Sequence, residues 1–250
     1  MDPVSRLERR VEERLADLDT LFGRAGVRYA LIGATALLLQ GIVLPRTTRD
    51  LDFAVSVGHS IDEVRTLFEA HGLRSSTTVR HRFIAEEGLE IDVLPTRART
   101  DRVELPGGES ISQVGLAEAI GSATSVALPA GSVCVAPLPV LAAVKLHVAT
   151  IRLDERDLQD AFAVLAQYES AGIRRFDIDY LAEGSLSWDT AGAWLAGQDA
   201  RGILHRESRT AILTAAEHLL GDIRLSDRFA QGPEDRALLT AFRVGLAHAS

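Results

Sequence analysis

The alternation of apolar and polar residues divides the chain into helical and extended segments. Apolar residues recur every three or four positions over residues 5–25, which predicts an amphipathic helix. The uncharged segment 29–45 predicts a buried strand, a turn at Gly33 and a short buried helix. Residues 48–56 then alternate charged and apolar side chains, as a half-buried strand does. The first half of the chain therefore begins as helix, strand, glycine turn, helix and strand.

The later pattern changes from mixed to mainly helical. Residues 100–137 are rich in glycine, serine and proline with short apolar runs, which predicts strands and loops. The other predicted elements are a helix at 61–71, strands at 81–86 and 89–94, and helices at 138–151, 154–168, 188–196, 207–220 and 234–248, with Asp154 as an N-cap. The predicted fold class is α/β of the α+β kind, with an α-helical C-terminal region.

Three acids on two predicted strands are the candidate metal ligands. Side chains two positions apart share a face of a strand, so Asp50 and Asp52 lie on the same face. If the chain is also extended from residue 46 onward, Arg46 and Thr48 lie on this face as well. Neighbouring carboxylates repel unless a shared proton, a basic partner or a divalent cation offsets their charge. If the later strand that carries Asp92 is adjacent, three carboxylates converge. Three acids can hold two Mg²⁺ ions, which bind an NTP and activate an attacking hydroxyl.

The turn at Gly33 precedes the predicted short helix and is a candidate phosphate site. Free backbone N–H groups at a helix N-terminus bind phosphate, and Thr35 offers a hydroxyl donor in addition. Glycine turn, buried helix and paired acids on the next strand together favour phosphoryl transfer, whereas each feature alone is weak evidence.

These residues resemble the DNA polymerase beta-type nucleotidyltransferases, whose signature is a glycine turn, a spacer, an acid-x-acid pair and a later strand acid. Gly33 and Ala34 stand at the turn, residues 35–49 form the spacer, and Asp50, Asp52 and Asp92 are the acids. Ala34 departs from the glycine or serine that the family often has. The resemblance implies a nucleotidyltransferase-type mixed sheet flanked by helices. It also implies an NTP as the substrate and two Mg²⁺ ions as cofactors, with the three acids as the metal ligands. We also include Arg49, directly before the pair, among the nucleotide-binding candidates.

Within that superfamily the chain looks most like the AbiEii-type branch, which includes toxins of toxin–antitoxin and phage-defence systems. The branch has a helical lysine followed by a basic-acidic pair, matched here by Lys145, Arg156-Asp157 and Asp160. The resemblance implies that Lys145 binds the triphosphate and that Asp157 or Asp160 acts behind it or on the acceptor side. Residues 1–136 are then the catalytic core, and residues 137–250 are a helical domain that contributes Lys145 and these acids. The alternative is that Lys145 extends to solvent and the acids are ordinary surface charges.

Composition restricts the partners and the compartment. Hydrophobic residues make up 46% of the chain, the balance of an ordinary soluble protein, and we expect no membrane partner. A single cysteine, Cys134, excludes an internal disulfide, so a cytoplasmic location fits best. The formal net charge of −8 disfavours broad contact with a nucleic-acid backbone.

Three functions are compatible with these residues. The first is Mg²⁺-dependent transfer of a nucleoside monophosphate from an NTP to an acceptor hydroxyl, for which a tRNA 3′ end is one candidate and a cognate antitoxin a further partner. The second is transfer to a small molecule such as an aminoglycoside or lincosamide, which the acidic charge mildly favours. The third is a catalytically silent binding module, which the three mutually repelling acids disfavour.

Overall fold

The computed structural model describes residues 8–48, 50–56, 61–86, 88–97, 102–104, 110–170, 172–178, 186–221 and 232–248. The chain divides into two compact units, Met1–Pro137 and Leu138–Ser250. Within the described ranges, no helix combines the length and the apolar character that crossing a bilayer needs.

The first unit contains a mixed sheet and four described helices. Its strands are β1 Tyr29–Ile32, β2 Asp50–Ser56, β3 Arg74–Ser75, β4 Arg82–Ile84, β5 Glu90–Thr96, β6 Arg102–Glu104, β7 Ser110–Ser112, β8 Thr124–Leu128 and β9 Gly131–Val135. Its helices are α1 Arg9–Arg24, α2 Gly33–Leu39, α3 Ile61–Glu69 and α4 Leu116–Gly121. The predicted strand–turn–helix–strand order is confirmed. Helix α4 was not predicted, because six residues are too few to show a helical period.

Strand order brings two distant segments together at the centre of the sheet. The seven-stranded sheet runs β3-β4-β5-β2-β1-β9-β8, and β6 and β7 form a separate antiparallel pair. Strand β2 pairs antiparallel with β1 and parallel with β5. Strand β4 pairs antiparallel with the other edge of β5. The polar residues of β2 therefore lie beside those of β5, which in turn lie beside those of β4.

Aromatic rings form much of the core on one face of this sheet. Phe22 of α1 stacks on Tyr29 at 4.5 Å between ring centroids and lies 5.6 Å from Phe53 and from Phe68. Phe68 of α3 continues the cluster to Phe83 of β4 at 4.7 Å. Burial of these rings fixes the side of the sheet to which β2 turns its apolar residues, because strand side chains alternate between faces.

The second unit is helical, as predicted for the C-terminal region. Its helices are α5 Leu138–Arg152, α6 Glu155–Gln167, α7 Trp188–Ile203, α8 Arg206–Gly221 and α9 Pro233–Ala247, with a 3₁₀ helix at Ile173–Asp177. The predicted N-cap is confirmed, since the Asp154 carboxylate accepts a hydrogen bond from the Arg156 backbone N–H at 2.9 Å. Helix α7 extends further than the predicted 188–196, because its small residues carry little periodic signal.

Candidate active site

Asp50 and Asp52 lie on the same face of β2. Both are half-buried, while Leu51 and Phe53 between and after them are fully buried. The alternation confirms the predicted half-buried strand. The strand begins at Asp50 and Arg46 lies in the loop before it, so the condition for Arg46 to share this face is not met.

The register of β5 places two more acids beside this pair. Asp52 is the Cα partner of Asp92, and Asp50 is the partner of Glu90. Partners on adjacent strands are about 4.8 Å apart and project to the same face. Asp92 is 8% exposed. Strands β2 and β5 are thus neighbours, as the metal-site prediction requires, and Glu90 is an acid that sequence reasoning missed.

Gly33 allows the start of α2 to lie against Asp52. Its φ is +71°, a conformation that residues with a side chain rarely adopt. A Cβ atom at this position would lie 2.0 Å from the Oδ2 atom of Asp52. Glycine is therefore required by both the backbone conformation and the contact, which ties the predicted turn directly to the acid pair.

Two threonine hydroxyls hold Asp50 from different directions. The Thr35 hydroxyl donates to the Asp50 carbonyl oxygen at 3.0 Å, and the Thr48 hydroxyl donates to the Asp50 carboxylate at 2.5 Å. Thr35 and Ala34 are both buried in α2. Because the Thr35 proton is used within the protein, this contact ties α2 to β2, and a role for Thr35 or Ala34 in phosphate binding stays a prediction.

Arg82 of β4 is the cationic partner of this acidic face. It is the Cα partner of Asp92, and its Nε and Nη2 atoms donate to the two Asp92 oxygens at 2.7 and 2.8 Å. Its Nη1 atom donates to Glu90. The hydrogen bonds to Asp92 raise the pKa of Arg82, so the guanidinium stays charged. The spacing of Arg82 from Asp92 along the sequence gives no signal of this contact, which depends on the hairpin register.

A cleft of about 860 Å³ opens beside Asp50 and Glu90. The threonines that contact Asp50 line it, together with Arg10 and Arg46. Its size is that of a small-molecule site. Asp52 and Asp92 are not among its lining residues, so the cleft meets the acidic face at the end formed by Asp50.

The acids fit a divalent cation by donor type but are not gathered around one point. Hard cations such as Mg²⁺ bind carboxylate oxygens, which Asp50, Asp52 and Glu90 offer on one face. Among the described residues, however, no three His, Cys, Asp or Glu side chains are close enough together to hold a metal ion. In this structure Arg82 binds both oxygens of Asp92, and the three-aspartate metal site stays a prediction.

In the second unit, Lys145 lies in a buried ion cluster with the two predicted acids. Its Nζ atom is 3.1 Å from Asp157 and 2.8 Å from Asp160. The Lys145 side chain is 12% exposed and that of Asp160 is 0% exposed, so the interpretation of Lys145 as a solvent-reaching side chain is wrong. Burial disfavours the charged lysine, but attraction to Asp157 and Asp160 outweighs it and raises the Lys145 pKa.

The remaining candidate, Arg49, lies outside the described residues, so its predicted nucleotide contact stays a prediction. Its neighbours Thr48 and Asp50 are described and lie at the cleft.

Comparison with known protein families shows which family this chain belongs to. The family model of the nucleotidyl transferase AbiEii toxin, of the type IV toxin–antitoxin systems, matches residues 19–190. The chain belongs to the AbiEii nucleotidyltransferase toxin family. The matched range includes Gly33, the acids of β2 and β5, and the cluster around Lys145. The predicted superfamily and branch are confirmed, and the protein is a nucleotidyltransferase with an NTP as its substrate.

Solved structures of nucleotidyltransferases are similar to the chain at low sequence identity. The lincosamide antibiotic adenylyltransferase LnuA is 19% identical, with 61% of this chain and 94% of that chain covered and a TM-score of 0.42. An antigenic nucleotidyltransferase-like protein from Paracoccidioides brasiliensis is 15% identical, with coverages of 88% and 91% and a TM-score of 0.46. The Thermotoga maritima CCA-adding enzyme in complex with tRNA is 12% identical, with coverages of 99% and 81% and a TM-score of 0.31. No curated protein matches the sequence significantly.

Proposed function

We propose that this AbiEii-family protein transfers a nucleoside monophosphate from an NTP to a hydroxyl of RNA, with a tRNA 3′ end as the acceptor and Mg²⁺ held by Asp50, Asp52 and Asp92. The observation that carries the metal proposal is the pairing of β2 with β5, which makes Asp52 and Asp92 register partners. The family's description as a toxin supports an RNA acceptor, because blocking an RNA that translation needs would stop growth. We also expect a cognate antitoxin.

The proposed reaction forms a phosphoester bond to the acceptor and breaks a phosphoanhydride bond of the NTP. The acceptor oxygen bonds to the α-phosphorus, the bond from that phosphorus to the α–β bridging oxygen breaks, and pyrophosphate leaves while the hydroxyl proton passes to water. A bound divalent cation supplies charge that neutralises the phosphates and favours ionisation of the hydroxyl. Asp50, Asp52 and Asp92 would hold this cation, and the Thr48 hydroxyl orients the Asp50 carboxylate. Gly33 leaves the space that the Asp52 carboxylate occupies.

The test follows a labelled nucleotide to its acceptor. The protein is incubated with each α-labelled NTP in turn, with Mg²⁺ or EDTA, and with total tRNA, a lincosamide or an aminoglycoside. A second tRNA sample carries an oxidised 3′-terminal ribose, which removes the proposed acceptor hydroxyl. Asp52→Asn removes a ligand, and Asp62→Asn on the exposed side of α3 is the matched control.

Label on intact tRNA, but not on oxidised tRNA or with EDTA, is the expected result. Asp62→Asn should behave as wild type and Asp52→Asn should fall to the EDTA background. Label on an antibiotic would show that the acceptor is a small molecule and not RNA. Wild-type transfer by the Asp52→Asn variant would show that these carboxylates are not part of the catalytic site. NTP binding without transfer to any acceptor would favour the silent binding module.

A further inference from the structure

Arg82 engages every oxygen of the Asp92 carboxylate. Its Nε atom lies 2.7 Å from Oδ1 and its Nη2 atom 2.8 Å from Oδ2, the fork-shaped contact that makes arginine–carboxylate pairs strong. The pair is partly shielded from solvent, since the Asp92 side chain is 12% exposed and that of Arg82 is 27% exposed. The register of β4 and β5 places the two side chains side by side, because Arg82 and Asp92 are Cα partners.

A divalent cation bound to Asp92 needs at least one of these two oxygens. It would also stand beside a second positive charge, and charges at such distances repel strongly in a half-buried site. The cation and the guanidinium therefore compete for the same carboxylate.

Glu90 offers the guanidinium a second binding place. It accepts from the Nη1 atom of Arg82, whereas Asp92 is bound by the Nε and Nη2 atoms, so the two contacts use different donors. Glu90 stands two residues before Asp92 on the same face of β5, and its side chain is more exposed than that of Asp92. Contact with Glu90 can therefore persist when the contact with Asp92 is given up.

We propose that Arg82 is a positioning residue that competes with the divalent cation for Asp92, and that Glu90 holds the guanidinium when Asp92 turns to the cation. The inference rests on the proposed function in so far as that function has Asp92 bind a cation. Arg82 then sets how tightly the site binds metal.

The test measures binding of Mn²⁺ alone, from the electron paramagnetic resonance signal of the free ion, to the full-length protein and its variants. Arg82→Gln should bind Mn²⁺ about tenfold more tightly than wild type, because a competing charge is removed. Arg82→Lys keeps the charge but loses the fork, so it should lie between the two. Arg80→Gln, two residues away and exposed, is the matched control and should bind as wild type does.

Glu90→Gln should act in the opposite direction and weaken Mn²⁺ binding, since of its two described carboxylate partners the guanidinium then keeps Asp92 alone. Part of any such loss is the missing negative charge itself, so the double variant Arg82→Gln/Glu90→Gln separates the two effects. The loss caused by Glu90→Gln should be smaller in the Arg82→Gln background. An equal loss in both backgrounds would show that Glu90 acts on the cation directly and would overturn its proposed role.

Other outcomes separate this inference from the proposed function. Unchanged or weaker Mn²⁺ binding by Arg82→Gln with wild-type circular dichroism overturns the competition, while cation binding by the carboxylates stands. Equal Mn²⁺ binding by wild type and Asp52→Asn overturns the metal site and the inference together. If Arg82→Gln does not fold, the other two variants still test the competition. Arg82→Lys should bind Mn²⁺ more tightly than wild type and Glu90→Gln should bind it more weakly, and the opposite changes would overturn the proposal.

Discussion

At the scale of single residues, Gly33 links the glycine turn to the acid pair. Replacing it with alanine forces a side chain into a left-handed conformation and places a Cβ atom 2.0 Å from the Asp52 carboxylate. We predict that Gly33→Ala lowers the free energy of unfolding by about 1–3 kcal/mol and also lowers kcat, because Asp52 must move. Urea denaturation and nucleotide-transfer assays measure the two effects.

Gly23→Ala is the control for this substitution. Gly23 lies in α1, and a Cβ atom there meets nothing within 4 Å, so alanine should be neutral or stabilising by about 0.5–1 kcal/mol. Wild-type kcat in Gly33→Ala would show that the position of Asp52 does not matter for transfer.

Lys145 holds two acids of the second unit in place, whatever its role toward the triphosphate. Lys145→Met should lower the free energy of unfolding by about 3–5 kcal/mol, since it leaves the carboxylates of Asp157 and Asp160 without their buried counter-ion. In an Asp157→Asn/Asp160→Asn background the same substitution should cost much less. A thermodynamic cycle from denaturation curves measures this coupling.

The predicted triphosphate contact of Lys145 needs a separate measurement. Asp157→Asn keeps the lysine and weakens its ion cluster. An NTP KM that rises sharply in Lys145→Met but not in Asp157→Asn would support a direct contact. Equal changes in both variants would indicate that Lys145 acts through the stability of its helices.

At the scale of elements, two glycines allow α7 and α9 to pack with their backbones in contact. A Cβ atom on Gly197 would lie 2.2 Å from the Phe242 carbonyl oxygen, and one on Gly245 would lie 2.1 Å from that of Trp194. We predict that Gly197→Ala destabilises the protein by about 1–3 kcal/mol, because backbone atoms cannot move aside as a flexible side chain can. Gly202→Ala in the same helix has open space and should not destabilise. The melting temperatures of the two variants check this, and equal values would contradict it.

Asp199 of α7 is a carboxylate whose protonation we expect to destabilise the second unit at low pH. Burial raises its pKa, but hydrogen bonds from Arg174 and from the Tyr168 hydroxyl outweigh this and lower the pKa below its ordinary value of 3.8. A carboxyl whose pKa is lower in the folded protein stabilises above the unfolded value, and the effect is lost as pH falls through the folded value. We therefore predict that wild type loses more free energy of unfolding than Asp199→Asn between pH 5 and about pH 3. Denaturation at the two pH values is the measurement, and equal losses would contradict the prediction.

At the scale of the whole molecule, the net charge of −8 bears on the proposed acceptor. A protein of this charge repels tRNA over most of its surface and must bind it through a few basic contacts, whose strength falls as salt rises. We predict that the KM for tRNA rises at least about tenfold between 50 and 200 mM KCl. The KM for NTP, measured alongside with saturating tRNA, should change much less. A KM for tRNA that stays constant would contradict tRNA as the acceptor.

Periodicity in the sequence predicted the elements that hold the candidate site. The alternation around Asp50 and Asp52 predicted β2, and the uncharged run before it predicted the strand and the short helix. The structure divides after Pro137, next to the boundary given from the sequence, whereas the division into a catalytic core and a helical domain that contributes to the site stays a prediction. The role of Lys145 toward the acids of β2 stays a prediction, as does tRNA.

By itself the sequence determined which residues of β2 face the core and which share the opposite, acidic face, because side-chain alternation along a strand depends only on local covalent geometry. Family membership follows from the same residues. Only the tertiary structure decided that Asp92 stands beside Asp52, that Arg82 binds both of its oxygens, and that Glu90 shares the guanidinium. These contacts depend on the order and register of β4, β5 and β2, and a shift of one residue would turn each side chain to the opposite face.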